Sequence, residues 1–252
     1  PQGNENAPIE DALLPFVSKT PWLGHFDLIS GLVGIGIYAL ERLPDPQARE
    51  ILKQVLNRLE ERSERNGNEI SWHTPPDLLL DERRRRYPQG VYDFGIAHGI
   101  PGVISFLAEV VESGVERERA RSLMNGAVAW LLQQGIPRNG QVGFPTMRAS
   151  GSAGEASIRP SWCYGEAGVA AALYRAGQAA QDENWKKQAL KEILPRPFPW
   201  PPETMFIRDS GLCHGSAGIA HLFNRLYQAS GEVQLLASVR QWYAWTIEHR
   251  RE

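Results

Sequence analysis

Two cysteines occur in the 252 residues, and each sits two positions before the first glycine of a Gly-x-x-Gly pair. Cys163 lies in SWCYGEAG (161–168). Cys213 lies in GLCHGSAG (211–218), where His214 follows it directly. Thiolate and imidazole are ligands that zinc prefers. If the two segments occupy corresponding places around one centre, Cys163, Cys213 and His214 supply three protein ligands. The fourth tetrahedral position is then left to water or substrate. The spacing is not a Cys-x-x-Cys signature, so a buried structural thiol, a helix-start thiol and a capping histidine fit the same residues. His98, in GIAHGIPG (95–102), precedes its glycine as His214 does. That register puts it at the same cavity as a general acid or base; a histidine bonded to local backbone is the alternative. Asp27 and Asp93, in FDLISG and YDFGIAHG, either orient such groups or cap helices. Arg159, four residues before Cys163, either holds an anionic group or is a surface arginine. His25, His73, His221 and His249 show no comparable setting.

The elements that must position these side chains form an internal repeat. Glycine pairs opening at Gly31, Gly99, Gly165 and Gly215 are each followed by an apolar helical run, at intervals of about 50 to 70 residues. Charged amphipathic segments alternate with them. In PDPQAREILKQVLNRLEERSER, Ile51, Leu52, Val55, Leu56 and Leu59 recur at helical spacing, with Asp45-Pro46 as N-cap and first helical residue. VERERARSLMNGAVAWLLQQG repeats the pattern through Ala120, Leu123, Met124, Ala127, Val128 and Leu131. QDENWKKQALKEIL and GEVQLLASVRQWYAWTIEHR are the third and fourth such helices. This alternation predicts two layers, an inner set of apolar helices and an outer set with one wet face. Glycine costs about 1 kcal/mol against alanine inside a helix, so a pair at each helix start implies close backbone approach. GQVGFPTM (140–147) is read as a short hairpin or extended loop, and 195–203, PRPFPWPPE, as non-helical. The Arg83–Arg86 run beside Asp81 and Glu82 is read as a solvated loop, with a peptide-binding patch as the alternative.

Composition narrows the function classes. Hydrophobic residues make up 42% and charged residues 22%, as in ordinary globular chains. A net charge of −2 provides no general attraction to nucleic acid or anionic membrane. The apolar run Leu28–Leu40 is broken by Ser30, Gly31, Gly34 and Gly36, so no membrane span is expected. The first residues lack a basic segment followed by an apolar core, so no signal peptide is expected.

The motifs AHGIPG, WCYGEAG and CHGSAG, in this order and at this spacing, resemble the successive signatures of lanthionine synthetase C-like proteins, the cyclases of lanthipeptide biosynthesis. The resemblance runs from about Asp27 to Tyr227 and implies an all-α fold, an α/α toroid with one zinc ion at its centre. It maps the zinc ligands to Cys163, Cys213 and His214 and the catalytic histidine to His98. Asp27, Arg159, Trp162 and Tyr164 match active-site positions. The implied activity adds a peptide cysteine thiolate to dehydroalanine or dehydrobutyrine, forming lanthionine or methyllanthionine thioethers. The implied partners are a dehydrated precursor peptide and a dehydratase and exporter of the same pathway. The implied location is cytoplasmic, or membrane-associated through such a complex. The family ring has seven inner helices against four glycine-opened segments here, so residues 1–252 are expected to form one domain that is partial relative to the full toroid. Competing readings are a non-cyclising zinc relative that binds glutathione or peptide, a scaffold subunit of a modification complex, and an α/α-toroid glycosidase. The last needs paired carboxylates, and Glu166 is the only carboxylate inside a central motif.

Overall fold

The computed structural model describes residues 6–138, 141–149, 161–194, 207 and 209–250. The chain begins with α1 (Ala7–Val17), α2 (Leu32–Glu41) and α3 (Pro46–Arg62), then a hairpin of β1 (Glu64–Asn66) and β2 (Glu69–Ser71). A 3-10 turn (Pro76–Leu78), α4 (Asp81–Arg86) and β3 (Val91–Asp93) lead into α5 (Ile100–Ser113) and α6 (Arg117–Gln133). Next come β4 (Ile136–Arg138), β5 (Gln141–Gly143), β6 (Met147–Ala149), α7 (Glu166–Ala180) and α8 (Glu183–Gln188), which continues as a π-helical turn (Ala189–Ile193). The last helices are α9 (Ser216–Ser230) and α10 (Gln234–Glu248).

The four glycine pairs open α2, α5, α7 and α9, with Gly31, Gly99, Gly165 and Gly215 as the N-caps. Each inner helix packs on its amphipathic successor: α2 on α3, α5 on α6, α7 on α8 and α9 on α10. Each also packs on the next inner helix, in the order α2, α5, α7, α9. The result is the predicted two-layer arrangement. Burial follows the sequence stripes. In α3 the buried residues are Ala48, Ile51, Leu52, Val55, Leu56 and Leu59, and the Asp45 carboxylate accepts hydrogen bonds from the Gln47 and Ala48 N–H groups at 2.8 and 3.2 Å. In α6 the six predicted apolar positions are buried, joined by Gly126 and Trp130. A Cβ at Gly126 would strike the Ile70 side chain, so β2 lies directly on this helix.

Three expectations are corrected. The third outer segment is not one α-helix. No residue of α8 is buried, and the wider π turn then swings Ala189, Leu190 and Ile193 onto the core. The Arg83–Arg86 run is helical rather than a loop. It lacks an apolar stripe, and Arg84 staples it to the preceding turn by donating to the carbonyls of Pro76, Asp77 and Leu79. The 140–147 segment serves two sheets: β5 pairs with β4, and β6 pairs antiparallel with β3, setting Met147 opposite Asp93. The segment 195–203 and Arg159 lie outside the described residues. No helix among the described residues is long and apolar enough to cross a membrane.

Candidate functional site

The Gly-x-x-Gly pairs explain how the site is built. Before α2, α5 and α9 the chain folds back over the helix start, and both glycines lie under a carbonyl six residues earlier. A Cβ on Gly99 or Gly102 would collide with the carbonyl oxygen of Asp93 or Ile96, and one on Gly215 or Gly218 with that of Asp209 or Leu212. Gly31 and Gly34 stand in the same relation to His25 and Leu28. Backbone bonds close the fold-back: Leu32 N–H donates to His25 O at 3.2 Å, Gly99 N–H to Gly95 O at 2.9 Å, and Ser216 N–H to Asp209 O at 3.1 Å. Each turn therefore presents the residues just ahead of its first glycine at the same end of the bundle. Short polar side chains hold the turns. The Asp27 carboxylate accepts from Ser30 N–H (2.6 Å), Asp93 from Gly95 N–H (2.8 Å), and Asp209 from Gly211 N–H (2.7 Å). In the third turn the Ser161 hydroxyl accepts from Tyr164 N–H at 2.9 Å.

The third and fourth turns are joined where the Cys163 N–H donates to the Cys213 carbonyl at 3.3 Å. One ligand atom from each of Cys163, Cys213 and His214 lies within 4.8 Å of the other two, and Cys213 Sγ is 3.9 Å from His214 Nε2. Neither cysteine is in a disulfide. Cys163 is buried, while Cys213 and His214 are exposed, so the cluster has a closed side and an open side. Burial pushes the Cys163 thiol up, the Ser161 hydroxyl at 3.3 Å pulls it back, and the neighbouring Cys213 sulfur raises it again. Soft sulfur pairs plus one imidazole, converging with an accessible face, fit a zinc ion.

His98 projects from the second turn and Asp27 from the first. His98 Nδ1 is 2.8 Å from Asp27 Oδ2, across 71 residues of sequence. A carboxylate only accepts, so Nδ1 carries the proton and donates, leaving Nε2 for chemistry. Burial alone would raise the Asp27 pKa; the hydrogen bonds from His98 and the Ser30 N–H outweigh it and bring it below the usual carboxylate value. The same bond holds the His98 pKa above the ordinary imidazole value, against opposing contributions from burial and from Arg83. The Asp27 carboxylate is 5% exposed and the His98 ring 39%, so a fixed anion orients an accessible base.

Asp93 plays a different part. Its second oxygen accepts from the Tyr164 hydroxyl at 2.9 Å. Burial pushes Asp93 up to about 6, despite the bonds from Gly95 and Tyr164. Burial, then the Asp93 charge, pushes the Tyr164 phenol above its usual value. Trp162, half-buried, packs against the small cluster of Ala97, Cys163 and Tyr164. The structure thus gathers Asp27, His98, Trp162, Cys163, Tyr164, Cys213 and His214 at one end of the inner helices.

Sequence reasoning missed three contributors. Ser161 stands four residues before Gly165, as Asp27 does before Gly31, and that register is a readable signal. His25 Nδ1 lies 3.8 Å from Asp27 Oδ2, although nothing in its spacing marks it. Arg83 lies close enough to act electrostatically on Asp93, His98 and Tyr164, which the four-arginine run does not reveal.

The profile of the family described as "Lanthionine synthetase C-like protein" matches residues 4–250. The chain is 26% identical over 212 residues to nisin biosynthesis protein NisC of Lactococcus lactis subsp. lactis, covering 80% of this chain and 50% of that protein. It is 24% identical over 215 residues to glutathione S-transferase LANCL1 of Danio rerio, covering 84% of this chain and 47% of that protein. It spans about half the length of these curated relatives. Among solved structures, nisin cyclase superposes with a TM-score of 0.74 at 21% identity, over 89% of this chain and 56% of that one. This likeness assigns the architecture to the α/α toroid. A family profile covering nearly the whole chain, with the same fold beneath it, makes this chain a member of the lanthionine synthetase C-like family.

Proposed function

We propose that the protein is a zinc-dependent cyclase that joins a peptide cysteine to dehydroalanine or dehydrobutyrine as a lanthionine or methyllanthionine thioether. The observation that carries this reading is the convergence of Cys163, Cys213 and His214 beside a histidine oriented by a buried carboxylate. Similarity to a nisin biosynthesis protein supports it. Cys163, Cys213 and His214 would hold one zinc. Bound there, zinc supplies a positive charge that lowers the pKa of a nearby thiol toward neutrality.

The protein's own residues then have defined tasks. Asp27 fixes the His98 tautomer through Nδ1, and the free Nε2 takes the substrate thiol proton or delivers a proton to the α-carbon. Sulfur bonds to the β-carbon, the carbon–carbon π bond breaks, and negative charge moves to the adjacent carbonyl oxygen. The proton that left sulfur is matched by one added at the α-carbon, so the reaction is a net addition. Arg159 is assigned to that oxygen and Trp162 to the wall of the cavity. Tyr164, held by Asp93, positions the segment that carries Cys163. The dehydrated precursor peptide is the substrate, and a dehydratase and exporter of the same pathway are the expected neighbours in the cell.

The test is incubation of zinc-loaded protein with a dehydrated peptide containing one free cysteine. Cyclisation removes the alkylatable thiol at unchanged mass. A peptide that keeps its thiol after complete zinc loading rules against the activity.

A further inference from the structure

The two cysteines are placed to react with each other as well as to share a metal. Their sulfurs lie within 4.8 Å, and neither is in a disulfide. The backbone fixes the same closeness independently of the side chains, because the Cys163 N–H donates to the Cys213 carbonyl at 3.3 Å. Residues joined by such a bond keep their Cα atoms about 5.5 Å apart. Disulfides join Cα atoms at that separation, so a sulfur–sulfur bond of about 2 Å needs side-chain rotation and little backbone movement.

Access to the two thiols differs. Cys163 is buried among Ala97, Tyr164, Trp162 and Met147, with the Ser161 hydroxyl 3.3 Å from its sulfur. Cys213 is exposed, in the turn that enters α9. A small oxidant from solution therefore meets Cys213 first, and Cys163 waits behind it as a second thiol already within reach. Oxidation of a thiol follows exposure, and an exposed cysteine beside a resolving one is captured as a disulfide before further oxidation.

We propose that Cys213 is an oxidation site for hydroperoxides and that Cys163 resolves it, closing the metal-free centre into a Cys163–Cys213 disulfide. With hydrogen peroxide, the Cys213 sulfur bonds to one oxygen, the O–O bond breaks, and the thiol proton leaves with the other oxygen as water. Cys213 is then a sulfenic acid. The Cys163 sulfur attacks the Cys213 sulfur, the S–O bond breaks, and the second thiol proton leaves with that oxygen as water. Two thiols are oxidised and one peroxide is reduced to two waters. The bond formation does not rest on the cyclase reading. Its consequence does rest on the ligand assignment: the disulfide removes two of three metal ligands at once, and sulfurs engaged by zinc are shielded from peroxide.

The test uses reduced full chain, stripped of metal or loaded with zinc, and exposed to hydrogen peroxide. Readouts are intact mass, thiol titration, non-reducing peptide maps and zinc uptake. In metal-free wild type both thiols should disappear together, the mass should fall by two hydrogens, and one Cys163–Cys213 cross-linked peptide should appear. Zinc uptake should be lost and return with dithiothreitol, and zinc loading beforehand should slow the reaction about tenfold or more. Cys163→Ser should instead carry Cys213 to the sulfinic acid, gaining two oxygens. Cys213→Ser should keep the Cys163 thiol under the same exposure. Wild-type thiols that survive peroxide which oxidises N-acetylcysteine, Cys213 overoxidised without a cross-link, or chains dimerised through Cys213 each overturn the proposal. A protein that forms the disulfide but no thioether from a dehydrated peptide keeps this proposal and loses the cyclase reading; thioether without disulfide does the reverse.

Discussion

Gly218→Ala tests whether the fold-back over the start of α9 places the candidate ligands. Gly218 is the third residue of α9, and an added Cβ would collide with the Leu212 carbonyl oxygen and lie 2.7 Å from the Trp162 Cβ. The Leu212 carbonyl shares its peptide plane with the Cys213 N–H, so relieving the collision moves the segment that carries Cys213 and His214. Overpacking against backbone costs about 1–3 kcal/mol, and the better helix propensity of alanine returns at most about 1 kcal/mol. A net loss of about 1–2 kcal/mol lowers the melting temperature by roughly 2–8 °C for a domain of this size. Zinc ligand distances tolerate displacements of only about 0.2 Å, so zinc affinity should fall on the order of 10- to 100-fold. Gly231→Ala is the control. Gly231 caps the far end of the same helix at φ 70° with open space around its Cβ, so alanine there strains the backbone without touching the site. Thermal melts and competition with a chromophoric zinc chelator measure both quantities. If Gly218→Ala binds zinc as tightly as wild type, or if Gly231→Ala weakens binding as much, the fold-back does not position the ligands.

Three further outcomes follow from the site. His98→Ala should retain zinc by metal analysis and lose about 100- to 10,000-fold in cyclisation rate, the usual worth of general acid–base catalysis. Asp27→Asn removes the anion that holds the His98 pKa up, so the His98 titration followed by NMR should move to lower pH. Asp93→Asn should alter the pH dependence of stability. The folded-state pKa of Asp93 is raised from 3.8 to about 6, so the native state binds the extra proton and the wild type loses stability as pH rises through that interval. Relative to Asp93→Asn, that loss amounts to about 2 kcal/mol between pH 4 and 7, read from denaturation midpoints at each pH; a constant difference between the two proteins refutes the assignment.

The features legible in the sequence are those fixed by local sterics and periodicity. The glycine pairs marked the starts of α2, α5, α7 and α9: at α2, α5 and α9 each glycine accommodates a carbonyl six residues earlier that a Cβ would strike, and at α7 Gly165 takes a positive φ of 100°. The stripes of α3 and α6 were readable because one face of each helix meets the core. The meeting of Cys163, Cys213 and His214 was legible as register, since equivalent positions in successive repeats point to the same end of the bundle. Contacts between repeats were not legible. The hydroxyl of Tyr164 reaches Asp93 across 71 residues, aided by the pairing of β3 with β6, and no spacing rule encodes such a partner. The helix at Asp81–Arg86 lacks apolar periodicity because its fastening is an arginine on backbone carbonyls. The π turn at Ala189–Ile193 escaped for a related reason, as it changes the helical register that pattern reading assumes to be constant.

The most direct measurement is the zinc content of freshly purified protein, compared with that of Cys213→Ala after both are shown to be folded by circular dichroism. The account predicts one zinc per chain in the wild type and none in the variant. A wild type that takes up no zinc, or a Cys213→Ala protein that keeps a full equivalent, contradicts it.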